Sequence, residues 1–208
     1  MSAHSTDSPS LECTTGLYLS PGSAGAELSP EEFDTAEFQE GFRYELINGV
    51  LVVNPPPLIQ ERGPNDWLGY RINKFRLEHP NGRLVDYTAP EQTIVVGQKR
   101  RRADRVVWMG LGRAPRENET PAIAIELVSA GKRSIQRDYE NKREEYQSIG
   151  IREYWIINRF ERTLTAFAAD GTKSVFVDTD LFTTDSLPGF ELPLNELFAE
   201  IDWLDKRS

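Results

Sequence analysis

The stretch Ala122-Ile123-Ala124-Ile125-Glu126-Leu127-Val128 decides how this chain folds. It is apolar at every position but one and is followed by Ser129-Ala130-Gly131, which breaks the pattern. A short apolar run bounded in this way reads as a strand covered on both faces, so helices must lie on either side of its sheet. The exception is Glu126. Period-two alternation puts it on one face with Ala122, Ala124 and Val128. A carboxylate buried there must find a cation, a partner or an extra proton.

Working outward, the next elements follow from local signals. Tyr44-Glu45-Leu46-Ile47, Asn48-Gly49 and Val50-Leu51-Val52-Val53 form a hairpin around an Asn-Gly turn. Pro55-Pro56-Pro57 ends its second strand, because proline has no N–H to donate. Ser29, Pro30 and Glu32 make a capping box that opens a short helix. A second helix is expected over Asp66–Glu78, with Trp67, Tyr70 or Leu68, Phe75 and Leu77 as its apolar contacts, and His79-Pro80-Asn81-Gly82 stopping it. Strands are expected at Leu84–Tyr87, Gln92–Val96 and Val106–Trp108. Beyond Gly131 come a helix over Ile135–Ile149, a strand at Glu153–Ile157, a hairpin around Asp170-Gly171, and a short helix within Leu192–Leu204. The class is α/β (α+β) around a mixed sheet. Residues 1–27, rich in Ser, Thr, Gly and Pro, read as a disordered or loosely docked tail, and residues 28–208 as one domain.

Composition narrows the chemistry. The 208 residues contain one cysteine, Cys13, and two histidines, His4 and His79. A disulfide framework, a Cys-rich zinc site and a His-rich metal centre are therefore excluded. A Ser-His-Asp triad would have to use His79, beside the Pro80 that stops a helix. No stretch approaches the ~18 apolar residues of a membrane-spanning helix, and the N-terminus lacks the basic start and apolar core of an export signal. The expected location is the cytoplasm, without membrane or small-molecule cofactor. The formal charge is −9, yet residues 99–143 carry +6 and the remainder −15. What remains is carboxylate chemistry beside a basic segment.

Four residues stand where packing alone would not put them. Glu126 interrupts an apolar strand. Glu45 lies between Tyr44 and Leu46 in the hairpin, and Asp104 precedes Val106-Val107-Trp108, just after Lys99-Arg100-Arg101-Arg102. For each acid a structural salt bridge or an exposed strand face competes with a functional role. The fourth is Lys142, the only charge in the stripe Ile135, Tyr139, Lys142, Tyr146, Ile149, whose spacing is that of a core-facing seam. It either snorkels out to water or points inward to meet the acids.

These residues resemble a known family. Tyr44–Val52 with Pro55-Pro56-Pro57, Ala103-Asp104-Arg105-Val106, Ile125–Ser129, Asp138 to Lys142, Tyr146, Gly150-Ile151, Glu153-Tyr154-Trp155 and Leu187-Pro188-Gly189-Phe190 look like the Uma-type restriction endonuclease family of the PD-(D/E)XK nuclease superfamily. The resemblance spans about residues 29–198. It implies a restriction-endonuclease-like core, a central mixed β-sheet flanked by helices, assembled as a homodimer. It makes Glu45, Asp104, Glu126 and Lys142 the catalytic set, with Asp104, Glu126 and Glu45 holding Mg²⁺ (or Mn²⁺). Two positions depart from the superfamily pattern. Ala103 stands where it has proline, and Val128 where it usually has lysine, so Lys142, or else Lys132, must fill that role in space.

The function expected is a metal-dependent endonuclease hydrolysing DNA phosphodiester bonds, with Arg100, Arg101, Arg102, Arg105 and Lys132 contacting phosphates. The competing readings are a catalytically silent nuclease-fold module that binds nucleic acid or protein, and a purely structural use of the buried ion pairs.

Overall fold

The computed structural model describes residues 16–128 and 135–206, with the backbone alone at residues 135–138. Cys13, Lys132 and the first 15 residues of the expected tail lie outside the described residues, as does the side chain of Ile135. Strand β1 (Tyr18–Leu19), helix α1 (Pro30–Thr35) and strand β2 (Glu37–Phe38) precede the hairpin of β3 (Arg43–Ile47) and β4 (Val50–Asn54). Helix α2 (Ile59–Glu78) leads to the long strands β5 (Val85–Val96) and β6 (Lys99–Met109), then to β7 (Ile123–Leu127). Helix α3 (Ile135–Ser148) carries the chain to β8 (Glu153–Asn158), β9 (Thr163–Ala168) and β10 (Lys173–Val177). The small pair β11 (Leu181–Phe182) and β12 (Leu192–Pro193) and helix α4 (Leu194–Asp205) follow.

Eight strands form one sheet in the order β10-β9-β8-β7-β6-β3-β4, with β5 running along β6. The β7–β8 pair is parallel and the other pairings are antiparallel, which makes the sheet mixed. Parallel neighbours need a crossover, and α3 supplies it. Strand β7 is buried along its whole length, as its apolar run requires. Ile123, Ile125 and Leu127 pack with Leu68, Ile72 and Phe75 of α2 and Leu197, Phe198 and Ile201 of α4. Ala124 faces the opposite cluster, with Val106, Trp108, Tyr146 of α3 and Tyr154. Glu126 therefore shares the α3 face of the sheet.

Local chemistry explains most boundaries. Ser29 Oγ accepts from the Glu32 N–H at 3.2 Å, and a Glu32 carboxylate oxygen accepts from the Ser29 N–H at 2.8 Å, closing the capping box. Asn48 (φ 53°) and Gly49 (φ 79°) make the tight turn between β3 and β4, the conformation for which Asn-Gly is favoured.

Three expectations are corrected. Helix α2 starts at Ile59, not near Asp66, and carries Pro64 inside it; Glu61, Pro64, Asn65 and Leu68 are all buried, so tertiary burial overrides the proline. Its buried apolar positions are Leu68, Ile72 and Phe75, whereas Tyr70 and Leu77 face solvent. The two strands expected at 84–87 and 92–96 are one continuous β5, because β6 pairs with it across Pro90. Finally, part of the expected tail is built into the fold. Strand β1 pairs with β2, Leu28 N–H and Gly25 N–H bond to Gly49 and Leu51 carbonyls, and Leu19 is buried with Phe33, Tyr44, Leu46 and Leu51. The exposed-looking composition hid these backbone bonds. Leu19→Ala should therefore cost about 2–5 kcal/mol of unfolding free energy, measured by urea denaturation of the full chain. A loss within error would show that β1 is not part of the cooperative unit.

Candidate active site

Four elements converge on one spot. Glu45 from β3, Asp104 from β6 and Glu126 from β7 are buried close to α3, whose Lys142 points inward and is 4% exposed. Lys142 Nζ donates to a Glu126 carboxylate oxygen and to the Arg102 carbonyl, each at 2.9 Å, and lies 3.6 Å from Glu45. The snorkelling alternative is excluded by this geometry. Glu45 accepts from the Arg102 N–H at 3.0 Å and from Asn54 at 3.4 Å, so it joins the cluster through Lys142 and the β6 backbone. One Asp104 oxygen accepts from Arg43 at 2.8 Å and the other from the Leu127 N–H at 2.6 Å. Val128, where the superfamily pattern has lysine, is buried.

Burial dominates the electrostatics. Desolvation pushes the Asp104 carboxyl up to about 6, although Arg43 and the Leu127 N–H pull it down. Glu126 is pushed up to about 8, again by burial, with Lys142 opposing and the charge of Asp104 adding to the rise. The Tyr146 hydroxyl, one turn beyond Lys142, is buried, has no hydrogen-bond partner among the described residues, and is likewise shifted upward by burial. Each of the two carboxyls has one cation beside it, Arg43 for Asp104 and Lys142 for Glu126, yet burial outweighs both and holds the two pKa values up. Carboxylate oxygens are hard donors of the kind a divalent cation such as Mg²⁺ or Mn²⁺ takes, so Asp104 and Glu126 are the two residues here that could hold one. Among the described residues no three Asp, Glu, His or Cys side chains form a ready-made metal cage. Glu45 is instead committed to Arg102, Asn54 and Lys142.

The arginines correct the expected phosphate contacts. Arg100 forms a two-pronged pair with Asp34 at 2.7 and 2.5 Å. Arg101 is 1% exposed and bonded to Glu145 at 2.6 Å. Arg105 is buried against Asn65 and Thr88, in space left by Gly69, where a Cβ would stand 2.5 Å from its guanidinium carbon. Arg102 is partly exposed and bonded to Glu91 at 3.1 Å. A basic run in sequence is thus mostly an internal set of ion pairs, because β6 is a central strand whose side chains face packed layers. Lys132 lies outside the described residues. His79 stacks on Phe75 and its ring nitrogen accepts from the Asn81 N–H, which removes the triad.

Arg43 and Glu145 were missed from sequence. Arg43 had a usable signal, since it lies two residues before Glu45 and so on the same strand face. Glu145 had none, because its partner Arg101 is 44 residues away.

The class of protein is set by this fold and site: a nuclease-like mixed sheet with two acids on adjacent central strands. A solved structure described as "a putative nuclease belonging to DUF820", from Anabaena variabilis, superposes with a TM-score of 0.71 at 19% sequence identity, covering 84% of this chain and 99% of that one. At that identity the likeness speaks for the fold. The chain belongs to the Uma2 family, described as "Putative restriction endonuclease", whose family model matches residues 30–195. No curated protein matches the sequence at a significant level. No helix among the described residues is long and apolar enough to cross a membrane.

The raised Glu126 has a consequence for stability. In the unfolded chain it loses its proton near 4.5 and in the folded protein near 8. Between these values only the folded form keeps the proton, so this group's contribution falls as pH rises through the window and is flat above it. Glu126→Gln should gain in Tm relative to the parent from about pH 5 to about pH 8, then level off. A difference independent of pH over that range would contradict the assignment.

Proposed function

We propose that this protein is a metal-dependent endonuclease that hydrolyses DNA phosphodiester bonds. The observation that carries the reading is the buried convergence of Asp104, Glu126 and Lys142 from β6, β7 and α3, where hydrophobic packing alone would place no charge. Family membership adds to it. Asp104 and Glu126 would hold Mg²⁺ or Mn²⁺. Such an ion, when bound, polarises a phosphate oxygen and lowers the pKa of an attacking water.

The chain's own residues supply the rest. To serve as a ligand Glu126 would have to be ionised, its proton passing to solvent, and would exchange its bond to Lys142 for the cation. Lys142, still anchored by the Arg102 carbonyl and Glu45, then presents its ammonium to the attacking water or to the charge gathering on the phosphate. In the hydrolysis a bond would form between the water oxygen and phosphorus and the ester P–O bond opposite it would break, the water's proton passing to solvent and the leaving alkoxide taking one from solvent. The closed apolar wall of Val106, Ala124 and Tyr146 keeps these charges effective by excluding bulk water.

The purified chain with Mg²⁺ or Mn²⁺ should nick supercoiled plasmid. Asp104→Asn, Glu126→Gln and Lys142→Met should each reduce the rate by about 100-fold or more while the protein stays folded by circular dichroism. Full activity in any of the three would remove that residue from the mechanism. DNA binding without cleavage under every divalent metal tried would favour the silent binding module, which the ammonium of Lys142, held on three sides, also suits.

The carboxylate pKa values give a second test. A cation competes with protons at Asp104, near 6, and Glu126, near 8, so its affinity should rise with pH across that range and its binding should release protons. Calorimetric titration of Mn²⁺ in two buffers of different ionisation enthalpy measures both. Affinity unchanged between about pH 6 and about pH 8 would place the cation elsewhere.

A further inference from the structure

Arg43 is the one charge in the cluster without a settled task. It opens β3 and reaches Asp104 at 2.8 Å through one terminal guanidinium nitrogen. The same nitrogen stands 3.8 Å from Glu91, within ion-pair range and beyond a hydrogen bond. Its Nε–H is out of contact with water and has no acceptor among the described residues. A buried donor without an acceptor is costly, so this arrangement leaves part of the guanidinium unused.

The second carboxylate is held there at a price in backbone energy. Glu91 has φ of 51°, the left-handed region that a non-glycine residue seldom enters, in the middle of a 12-residue strand and directly after Pro90. In the β5–β6 register Pro90 faces Arg105 and Gln92 faces Ala103, so Glu91 lies opposite Asp104. Its other oxygen is fixed by Arg102 at 3.1 Å. Strain of this kind clusters at functional sites, where the surroundings hold it in place. The result is one arginine between two carboxylates, bonded to the first and waiting near the second.

We propose that Arg43 is a phosphate-binding residue held in reserve: it neutralises Asp104 in the metal-free protein, and when a divalent cation takes Asp104 it turns to Glu91 and offers its freed N–H groups to the scissile phosphodiester. The guanidinium is suited to this because its planar fork matches phosphate oxygens. Its competitor at Asp104 is the cation itself. Metal binding and readiness for a phosphate are thereby linked through one side chain. This inference rests on the endonuclease reading above and sharpens it.

The experiment measures metal and DNA separately, in the full chain at alkaline pH. Mn²⁺ binding is followed without nucleic acid by the EPR signal of the free ion. Affinity for a duplex oligonucleotide is measured with Ca²⁺, and plasmid nicking with Mg²⁺. Arg43→Met should bind Mn²⁺ about threefold or more tighter, because the competing charge is gone, while DNA affinity falls about tenfold and nicking about 100-fold. A merely structural arginine would lower all three together or leave them unchanged, and either result overturns the proposal. Arg43→Lys keeps the charge that Asp104 needs for folding but loses the fork. It should hold Mn²⁺ within about twofold of the parent and still lose about tenfold in nicking and in DNA affinity. Unchanged DNA affinity in this variant also overturns the proposal. If Asp104→Asn binds Mn²⁺ as tightly as the parent, the metal reading itself fails and takes this proposal with it. That result is distinct from a parent that loses Mn²⁺ on Asp104→Asn but is indifferent to Arg43.

Discussion

The contact between Lys142 and Glu126 is the constraint around which the rest of this structure is arranged. Placing an ammonium and an ionisable carboxyl in the middle of a packed sheet–helix interface is expensive, most of all when both are charged. Such a pair persists only if its remaining polar valences are met. Here the Arg102 carbonyl and Glu45 meet those of Lys142. Four pieces of backbone, in β3, β6, β7 and α3, are thereby tied to one ammonium group. The register of β3 on β6 involves a single matched residue pair, Leu46 with Arg100, so these side-chain bonds supply fixation that the ladder there does not.

A second tier of charges shields the first. Arg101 and Lys99 both bond to Glu145 on α3, and although burial opposes it, their hydrogen bonds keep the Glu145 carboxyl below its usual range. This pairing docks α3 against β6 three residues beyond Lys142 and fixes where that lysine points. The same logic runs through Arg100 to Asp34 of α1 and Arg105 to Asn65 of α2. One basic strand thus reaches three helices. Each contact is a charge or polar group matched inside the fold, which is why apolar packing and ionic packing coexist on β6.

How much of this was legible in the sequence depended on whether the signal was local. Strand β7, the Asn48-Gly49 turn and the Ser29 capping box are written in a few adjacent residues, and they stand as read. Glu126 and Lys142 were legible for the opposite reason, because each breaks a pattern its neighbours keep. The first turns of α2 were not, since Gly63 and Pro64 argue against a helix that only tertiary burial rescues. The destination of Arg100, Arg101 and Arg105 was hidden as well. A run of like charges looks the same whether its partners are solvent, phosphates or carboxylates dozens of residues away, and only the three-dimensional structure tells these apart.

The internal use of those arginines bears on how a polyanion would be held. A protein's affinity for nucleic acid weakens with added salt in proportion to the number of phosphates its cations neutralise, because each one displaces condensed counterions. Guanidinium groups already saturated by Asp34, Glu145 and Asn65 displace none. Arg100, Arg101 and Arg105 therefore contribute little to any such salt slope, although they count towards the formal +6 of residues 99–143. To the extent of those three charges, attachment of a polyanion here would tolerate ionic strength better than the charge count suggests.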